Sequence, residues 1–350
     1  MREEAVLEQG LVAIQACLDR IPFLKIREVL TTPSLLGRRP DCIVRVEAPT
    51  GQHSLVIEAK SNGQPRVARQ AIVQLKEYCS AIPNPYPVFL APYITVSTGR
   101  LCEEEGVGYI DLAGNGRLSF GQVYIELEGK ENPFSEMREL RSLYSPKSER
   151  IIRVLLTRPR EPWRVEALAN EAGISLGLVS KVKRILEQRE WVATQSPGIQ
   201  LRDPGTALAE WTREYRYTRN RTTNYYSLVS GIELEERVAA AAQAMGNRIA
   251  LTGFSAAMRY APSVRSQRSM VFFQGDPAKV AEKLKLKPVP SGANLTLIQP
   301  YDDGVFYRAE LRDGIPLVCP VQAYLDVMNQ SGRGEEAGEA ILREVILPSW

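Results

Sequence analysis

The first 130 residues combine one helical pattern with several strand patterns. Leu7, Leu11, Ile14 and Leu18 recur at helical spacing and predict an amphipathic helix. RRPDCIVRV then leads into an apolar strand, PTGQH supplies turn residues, and SLVIEAK returns as a second strand, so this stretch predicts a β-hairpin. A second helix is predicted from about Val67 to Ser80, followed by a buried strand in YPVFLAPYIT.

Charged residues gather at one end of the predicted hairpin. With the turn at Gly51, Asp41 lies opposite Lys60 and Ile43 lies opposite Glu58. Because strand side chains alternate between faces, Asp41, Glu58 and Lys60 are expected on one face. Two carboxylates can hold a Mg²⁺ ion that polarises a phosphate, and a neighbouring lysine can orient or deprotonate the attacking water. The pattern therefore predicts a metal-dependent hydrolytic site.

Three motif segments of this region resemble the PD-(D/E)XK restriction-endonuclease-like superfamily, including the Gln-x-x-x-Tyr element of its exonuclease branch. They are Pro40-Asp41, Glu58-Ala59-Lys60 and Gln74-Leu-Lys-Glu-Tyr78. The resemblance covers residues 1–132 and implies a restriction-endonuclease-like αβ domain. An alternative is that the charged residues only protect an exposed strand.

The resemblance also implies roles for these residues. The metal would be Mg²⁺, held by Asp41, Glu58 and the carbonyl of Ala59. The catalytic site would comprise Asp41, Glu58, Lys60, Gln74 and Tyr78. The superfamily often takes a further acid from its first helix, where Glu8 is the candidate.

A second module is predicted over residues 144–203. Helices are expected from Ser148 to Leu156, from Val165 to Ala172 and from Leu176 to Arg189, with Ser175 capping the third. EWVATQSPGIQL then has the pattern of two strands around a turn. Three helices and a hairpin within about sixty residues form the winged helix-turn-helix pattern.

The third helix of this module separates an apolar face from a polar one. Leu178, Val179, Val182, Ile185 and Leu186 form the apolar face and are predicted to be core. Small residues and cations occupy the other side, as expected of a helix that approaches duplex DNA. The predicted DNA-binding residues are Ser175, Gly177, Ser180, Lys181, Lys183, Arg184, Arg213 and Arg216.

Positive charge is concentrated in the same part of the chain. Residues 147–203 contain 11 Lys and Arg against 7 Asp and Glu, whereas the whole chain has a formal net charge of only +3. The following segment WTREYRYTRNRTTNYY adds four arginines, among them Arg219. This distribution predicts binding to double-stranded DNA, with a protein-docking winged helix as the alternative.

The third region, residues 204–350, is predicted to be a mixed α/β domain. ERVAAAAQAM and VQAYLDVMN have helical patterns, and NRIALTGFS, SMVFFQG and ANLTLIQPYD have strand patterns. Together with the winged helix, LTGFSAAMRYAP and PVQAYLDVMNQSGRGEEAGEAI resemble the AbiEi-type antitoxins of type IV toxin-antitoxin systems. That resemblance implies a winged helix that represses its own operon and a C-terminal domain with antitoxin activity.

Composition excludes several other classes. The only histidine, His53, falls in the predicted hairpin turn, so His-rich metal sites and a catalytic triad are not indicated. Gly253-Phe254-Ser255 resembles the Gly-Ser turn of nucleotidyltransferases, but the acidic pair that would hold their metals is missing. No P-loop or strand-linked dinucleotide motif occurs. ATP or dinucleotide chemistry is therefore not indicated.

The expected location is a reducing cytoplasm. The five cysteines are scattered without a C-x-x-C pair, and no apolar signal segment precedes the first helix. No apolar stretch approaches the roughly 20 residues of a membrane span, so no membrane association is expected.

The sequence thus predicts a multidomain α/β protein with three candidate activities. The first is a DNA-binding regulator of the antitoxin type, whose partners are double-stranded DNA and a nucleotidyltransferase-like toxin. The second is a Mg²⁺-dependent endonuclease or exonuclease that the winged helix directs to DNA in phage or mobile-element defence. The third is a binding module in which the first domain grips DNA without cutting it or mediates assembly of a homodimer.

Overall fold

Two seven-stranded mixed sheets organise the chain. The structure is a computed structural model that describes residues 1–33, 39–130, 133, 143–193 and 198–350. Its contacts form two units, which we call the front unit (Met1–Leu140 with Ile185–Glu190) and the rear unit (Arg141–Arg184 with Trp191–Trp350). A sheet with helices in each unit confirms the predicted multidomain α/β class. The division at 1–132, 144–203 and 204–350 stays a prediction.

The front unit follows the predicted order of elements. Its helices are α1 (Glu3–Leu18), α2 (Pro65–Cys79) and α3 (Val96–Glu104). Its strands are β1 (Lys25–Thr31), β2 (Cys42–Ala48), β3 (Gly51–Ala59), β4 (Pro85–Ala91), β5 (Gly108–Asp111), β6 (Gly116–Phe120) and β7 (Val123–Leu127). They lie in the sheet in chain order, with β3, β4 and β5 parallel and the remaining neighbours antiparallel.

Helices cover both faces of the front sheet. α1 packs on one face and α2 and α3 pack on the other, so each face has its own apolar core. β3 and β4 lie between the two layers, which is why Leu55, Val56 and Ile57 are buried in succession. The end of β3 is therefore held from both sides.

Gly10 sets how closely α1 approaches the sheet. A Cβ atom placed on Gly10 would lie 2.2 Å from a methyl carbon of Leu90 on β4. The buried line of the helix consequently runs through Val6, Gly10 and Ile14, whereas the predicted Leu7 is only half-buried. The helix was predicted correctly, but its most buried line lies to one side of the leucine stripe.

After residue 143 the chain forms three helices and a short hairpin and continues into the second sheet; the last residues of the third helix, from Ile185 onward, are counted with the front unit. The first elements are α4 (Pro146–Thr157), α5 (Val165–Ala172), α6 (Leu176–Gln188), β8 (Val192–Ala193) and β9 (Gln200–Leu201), which we call the winged-helix-like segment. They lie where the sequence predicted them. The predicted turn at Ser196 and Pro197 lies outside the described residues.

The remaining elements form the second sheet and the helices around it. The helices are α7 (Pro204–Glu214), α8 (Gly231–Ala244), α9 (Gly253–Tyr260), α10 (Pro277–Lys283), α11 (Pro320–Met328), α12 (Gly334–Ile341) and α13 (Leu347–Ser349), with 3₁₀ turns at Tyr217–Arg219 and Asp303–Phe306 and a π-helical turn at Leu342–Ile346. The strands are β10 (Arg221–Tyr226), β11 (Ile249–Leu251), β12 (Ser269–Phe273), β13 (Lys287–Pro288), β14 (Leu295–Gln299), β15 (Glu310–Arg312) and β16 (Ile315–Leu317). Their order is β13-β10-β14-β12-β11-β16-β15.

A buried polar network joins the winged-helix-like segment to the second sheet. Arg153 of α4 is 2% exposed and donates two hydrogen bonds, of 3.0 and 2.7 Å, to Oε1 of Gln322 on α11. Gln322 donates to the Tyr215 hydroxyl at 3.0 Å, and Tyr215 donates to Asp326 at 2.6 Å. Thr252 donates to the other oxygen of Asp326. Because a buried guanidinium without partners is costly, these contacts bind the two parts together.

None of the described helices is long and apolar enough to cross a membrane.

Candidate functional site

The β2–β3 hairpin has a two-residue turn at Pro49 and Thr50. Ile43 pairs with Val56, and not with Glu58 as expected from a turn at Gly51. His53 therefore lies on β3, where its ring packs against Phe120, and not in the turn. The predicted register was two residues off. Side chains alternate with period two, so this shift leaves each residue on its predicted face.

The hairpin end brings the first three predicted site residues together. Asp41 lies just before β2, and its Oδ2 atom accepts a hydrogen bond of 2.8 Å from the backbone N–H of Ala59. Glu58, near the end of β3, is 4% exposed, and its Oε1 atom accepts a hydrogen bond of 2.6 Å from Nζ of Lys60. One backbone contact and one ion pair thus fix both carboxylates beside the amine.

Burial and neighbouring groups raise the pKa values of all three side chains. Burial raises the pKa of Glu58, and the negative charge of Asp41 adds to this effect, whereas the hydrogen bond from Lys60 opposes it. Burial also raises the pKa of Asp41 against the hydrogen bond from Ala59. For Lys60, burial acts to lower the pKa, but the hydrogen bond and charge of Glu58 outweigh it and raise the pKa. Lys60 is therefore held as an ammonium, which suits orientation and charge stabilisation better than proton removal.

The second carboxylate oxygen of Glu58, Oε2, shows whether the site can accept a cation. Oε2 is buried, and no donor among the described residues reaches it. Such an oxygen is costly to bury, and a hard cation with oxygen ligands would satisfy it. The described residues contain no group of three His, Cys, Asp or Glu side chains placed to hold a metal ion. Mg²⁺ tolerates this because it is usually bound by one or two carboxylates and keeps several waters. The pair Asp41 and Glu58 fits that ion.

α2 presents the remaining two predicted catalytic residues to the same place. Gln74 and Lys60 both line a cleft of about 750 Å³. Tyr78 lies within electrostatic range of the site, because the charges of Glu58 and Asp41 add to the effect of burial in raising its pKa. Gln74 therefore shares a cleft with Lys60, whereas Tyr78 is linked to the site only through these charges.

A close backbone contact holds the chain immediately after Lys60. The backbone N–H of Lys60 donates to the carbonyl of Leu90 at 2.9 Å. A Cβ atom on Gly63 would lie 2.0 Å from the carbonyl oxygen of Tyr93, so only glycine fits there. Thr98 donates to the Gly63 carbonyl at 2.7 Å. The loop that carries Lys60 is therefore anchored at both ends.

Glu3, and not the predicted Glu8, is the α1 carboxylate that faces this site. Glu3 lines the same cleft as Lys60, and its charge helps to raise the pKa values of Asp41, Glu58 and Lys60. Five residues place Glu8 about 140° around the helix from Glu3. Glu3 stands three residues before Val6, at the start of the buried line of α1, and this spacing was the signal that the sequence analysis missed.

The exposed face of α6 is a second candidate site. Val179, Val182, Ile185 and Leu186 are buried and Leu178 is half-buried, close to the predicted division. Five predicted DNA-binding residues are exposed, namely Ser175, Gly177, Ser180, Lys181 and Arg184, and Lys183 is half-buried. The backbone N–H of Leu178 donates to the Ser175 hydroxyl at 3.4 Å, a long contact in the predicted cap position. A Cβ atom on Gly177 would meet no described atom within 4 Å.

The arginines after the winged-helix-like segment differ in their environments. Arg213 and Arg216 are exposed, and Arg216 donates to the carbonyl of Arg213 at 2.7 Å. Arg219, whose charge also counts toward the predicted DNA-binding surface, is exposed as well, but it donates to the buried Glu149 at 3.1 Å and stacks on Tyr301. The charge count overestimated the positive surface, because it included Arg153, which is 2% exposed, and Arg219, whose charge is paired with Glu149.

The Gly253-Phe254-Ser255 turn has a structural use. Gly253 has a φ of +54°, and a Cβ atom there would lie 2.6 Å from the sulfur of Met270. Ser255 is 3% exposed, and its hydroxyl accepts a hydrogen bond of 2.9 Å from the backbone of Met270. The serine is thus used to pack α9 on the sheet.

The comparisons with known proteins give one family match and one partial structural match. Residues 200–347 match the sequence model of a family described as "Transcriptional regulator, AbiEi antitoxin, Type IV TA system". This part of the chain is similar to that family. The match confirms the antitoxin resemblance for these residues and leaves most of the winged-helix-like segment outside it. No curated protein matches the chain significantly.

One solved structure matches in part, the crystal structure of a repair endonuclease from Pyrococcus abyssi. It shares 15% identity with a TM-score of 0.24, over 32% of this chain and 47% of that chain. The chain thus spans about half the length of that structure.

Proposed function

We propose that this protein is a transcriptional regulator of the antitoxin type that binds duplex DNA through α6. The observation that carries the proposal is the division of α6 into a buried apolar face and an exposed polar face with two exposed cations, Lys181 and Arg184. The similarity of residues 200–347 to a family of transcriptional regulators and antitoxins supports it.

The exposed face suits a DNA groove for two reasons. Gly177 and Ser180 have short side chains near the start of α6, so the helix backbone can approach base edges. Lys181 and Arg184 follow on the same exposed side and can neutralise phosphates, which supplies most of the affinity and makes it depend on salt.

Binding should be tested on the full chain. A fragment of the winged-helix-like segment alone would expose the guanidinium of Arg153, which is 2% exposed in the folded chain. Footprinting on the DNA upstream of the gene, together with a reporter fused to that DNA, should reveal a protected site and repression. Binding that is indifferent to salt, or no protected site on duplex DNA, would refute the proposal.

Toxin neutralisation is the second part of this proposal. We assign it to residues from about Asn224 onward, because the described part of this region carries no evident catalytic group and a domain without such a site more often serves recognition. Co-expression with the toxin encoded in the neighbouring reading frame, measured as cell growth, tests it. Full-length variants Asp41→Asn and Lys60→Ala should still rescue growth. Rescue that requires these residues would assign neutralisation to the front unit.

A second candidate function is Mg²⁺-dependent cleavage of DNA by the front unit. The unpartnered Oε2 atom of Glu58 favours it. Asp41, Glu58 and the Ala59 carbonyl would hold the ion, which when bound would supply charge to polarise a phosphate. Lys60, as an ammonium, would orient the attacking water and stabilise negative charge, and Gln74 would position the strand in the cleft. Cleavage of plasmid and linear duplexes with Mg²⁺ or Mn²⁺ tests this function, and no cleavage of any DNA form would leave a binding role only.

A further inference from the structure

The second sheet ends in an exposed strand, β15. It is the last strand of the sheet, and all three of its residues are exposed. The side chain of Leu311 at its centre is 73% exposed, although a leucine gains from burial. No described strand pairs with its outer edge. Such an edge is a template for another strand.

The pairing with β16 shows which backbone groups face outward. Leu311 pairs with Pro316, and Arg312 pairs with Ile315 across a two-residue turn. Because Pro316 has no N–H, Leu311 and Pro316 cannot exchange two hydrogen bonds. Pairs alternate along an antiparallel ladder, so the N–H and C=O of Leu311 point away from β16. The free edge therefore offers one donor and one acceptor, both from Leu311.

Symmetry then fixes how a second copy can pair with this edge. Along an antiparallel ladder, hydrogen-bonded pairs alternate with non-hydrogen-bonded pairs, and the two residues of a pair are of the same kind. In a symmetric dimer the two-fold axis therefore passes through a pair formed by one residue and the same residue of the other copy. Only Leu311 has outward-facing backbone groups, and it therefore lies opposite Leu311 of the other copy. Glu310 then lies opposite Arg312 at both ends. The short sequence Glu310-Leu311-Arg312 is thus complementary to itself in charge and in hydrogen bonding.

Both charged side chains are exposed at this edge, and Arg312 also donates a hydrogen bond of 3.2 Å to the carbonyl of Arg259. Within one chain Arg312 approaches Glu310 only at 3.8 Å, and the two side chains remain 43% and 50% exposed. Arg312 also packs over the ring of Tyr260, which holds it beside the edge. The strand stops at Arg308 and Asp313, whose φ angles are +48° and +52°. Pairing is therefore limited to three residues from each copy.

The opposite edge of the same sheet lacks these properties. β13 consists of Lys287 and Pro288, and both residue types are found where edges are protected from pairing. Its sequence has no register in which opposite charges face each other. The contrast makes β15 the edge that accepts a partner.

We propose that two copies of this chain associate through antiparallel pairing of β15, with Leu311 on the two-fold axis. The dimer is weak and reversible, because an interface of three residues per copy is small. The proposal does not depend on DNA binding or on the metal site.

A cysteine at the axis tests the proposal on the full chain. In a hydrogen-bonded antiparallel pair the Cα atoms lie about 5.5 Å apart, which a disulfide can span. Leu311→Cys should thus form a covalent dimer under mild oxidation far faster than Leu228→Cys, a control whose side chain is 94% exposed. The wild-type protein gives the background rate of cross-linking, since its own cysteines are buried except for the half-buried Cys79.

Charge exchange in the Leu311→Cys background tests the register. Glu310→Arg should slow cross-linking by about tenfold, because both end pairs become Arg against Arg. Adding Arg312→Glu should restore the rate, since each pair again joins opposite charges. Thermal unfolding confirms that each variant is folded. Equal rates for the Leu311→Cys and Leu228→Cys variants, or no recovery in the double exchange, would overturn the proposal.

Discussion

Lys60 Nζ lies 2.6 Å from one oxygen of Glu58, while the other oxygen of Glu58 is buried and unpartnered among the described residues. The carboxylate is thus half neutralised. A cation at the free oxygen would complete its coordination and weaken the hold of Glu58 on the lysine. The site therefore predicts separate effects of its acids and its amine.

Removing either carboxylate should weaken metal binding, whereas removing the Lys60 amine should not. Asp41→Asn and Glu58→Gln should each lower Mg²⁺ and Mn²⁺ affinity by about tenfold or more in titration calorimetry, because each deletes a charged ligand. Lys60→Ala should leave that affinity within about threefold and slow any cleavage of duplex DNA. Metal binding unchanged in both acid variants would reject the site.

Two glutamates on α1 form a matched pair for the same measurement. Glu3→Gln should weaken metal binding severalfold, because the charge of Glu3 reaches Asp41 and Glu58. Glu8→Gln removes the same charge from the same helix but leaves the cleft unchanged, so its affinity should equal that of wild type. An equal loss in both variants would mean that only net charge matters.

Lys181 and Arg184 are expected to contact phosphates. Replacing both with alanine should weaken duplex binding and reduce the slope of log affinity against log salt by about 0.9 for each lost contact. Lys279→Ala with Lys283→Ala on α10 removes the same charge from exposed positions elsewhere in the rear unit. Binding by fluorescence anisotropy at several salt concentrations separates the two. If the control variant lost as much DNA affinity and salt dependence as the Lys181 and Arg184 variant, α6 would not be part of the DNA interface.

Gly177→Ala should separate stability from binding. The added methyl group meets no described atom and replaces a poor helix former, so the free protein should gain up to about 1 kcal/mol in unfolding free energy. If α6 enters a groove closely at Gly177, DNA affinity should fall at the same time. A stabilised variant with full affinity would place the DNA away from this end of α6.

Asp326 should make stability depend on pH. Burial raises its pKa to about 6, against hydrogen bonds from Thr252 and Tyr215. The unfolded carboxyl ionises near pH 4, so between pH 4 and 6 ionisation favours the unfolded chain, and stability falls by about 3 kcal/mol as pH rises. The difference in unfolding free energy between Asp326→Asn and wild type should change across this window. A difference that stays constant across this window would contradict the assignment.

The sequence predicted local features well where a period alone decides them. The face of the sheet on which each side chain of the β2–β3 hairpin lies was predicted correctly despite a register error of two residues, because side chains alternate with period two. Glu3 was missed because its position depends on how closely Gly10 lets α1 approach Leu90, a contact between distant parts of the chain. The ion pair of Arg219 was missed for a similar reason, since its partner Glu149 lies 70 residues away.

The contact between Arg153 and Gln322 has a consequence for how such proteins can be recombined. The two residues lie 169 positions apart, yet each satisfies the other in an interior closed to water. A recombination event that replaced the winged-helix-like segment with one from a distant relative would remove Arg153 and leave Gln322 without its partner. The reverse exchange, of the C-terminal region, would leave Arg153 buried without Gln322. The stretch from Pro146 to the end of α11 should therefore be inherited as a single block, although the chain reads as two modules along its length.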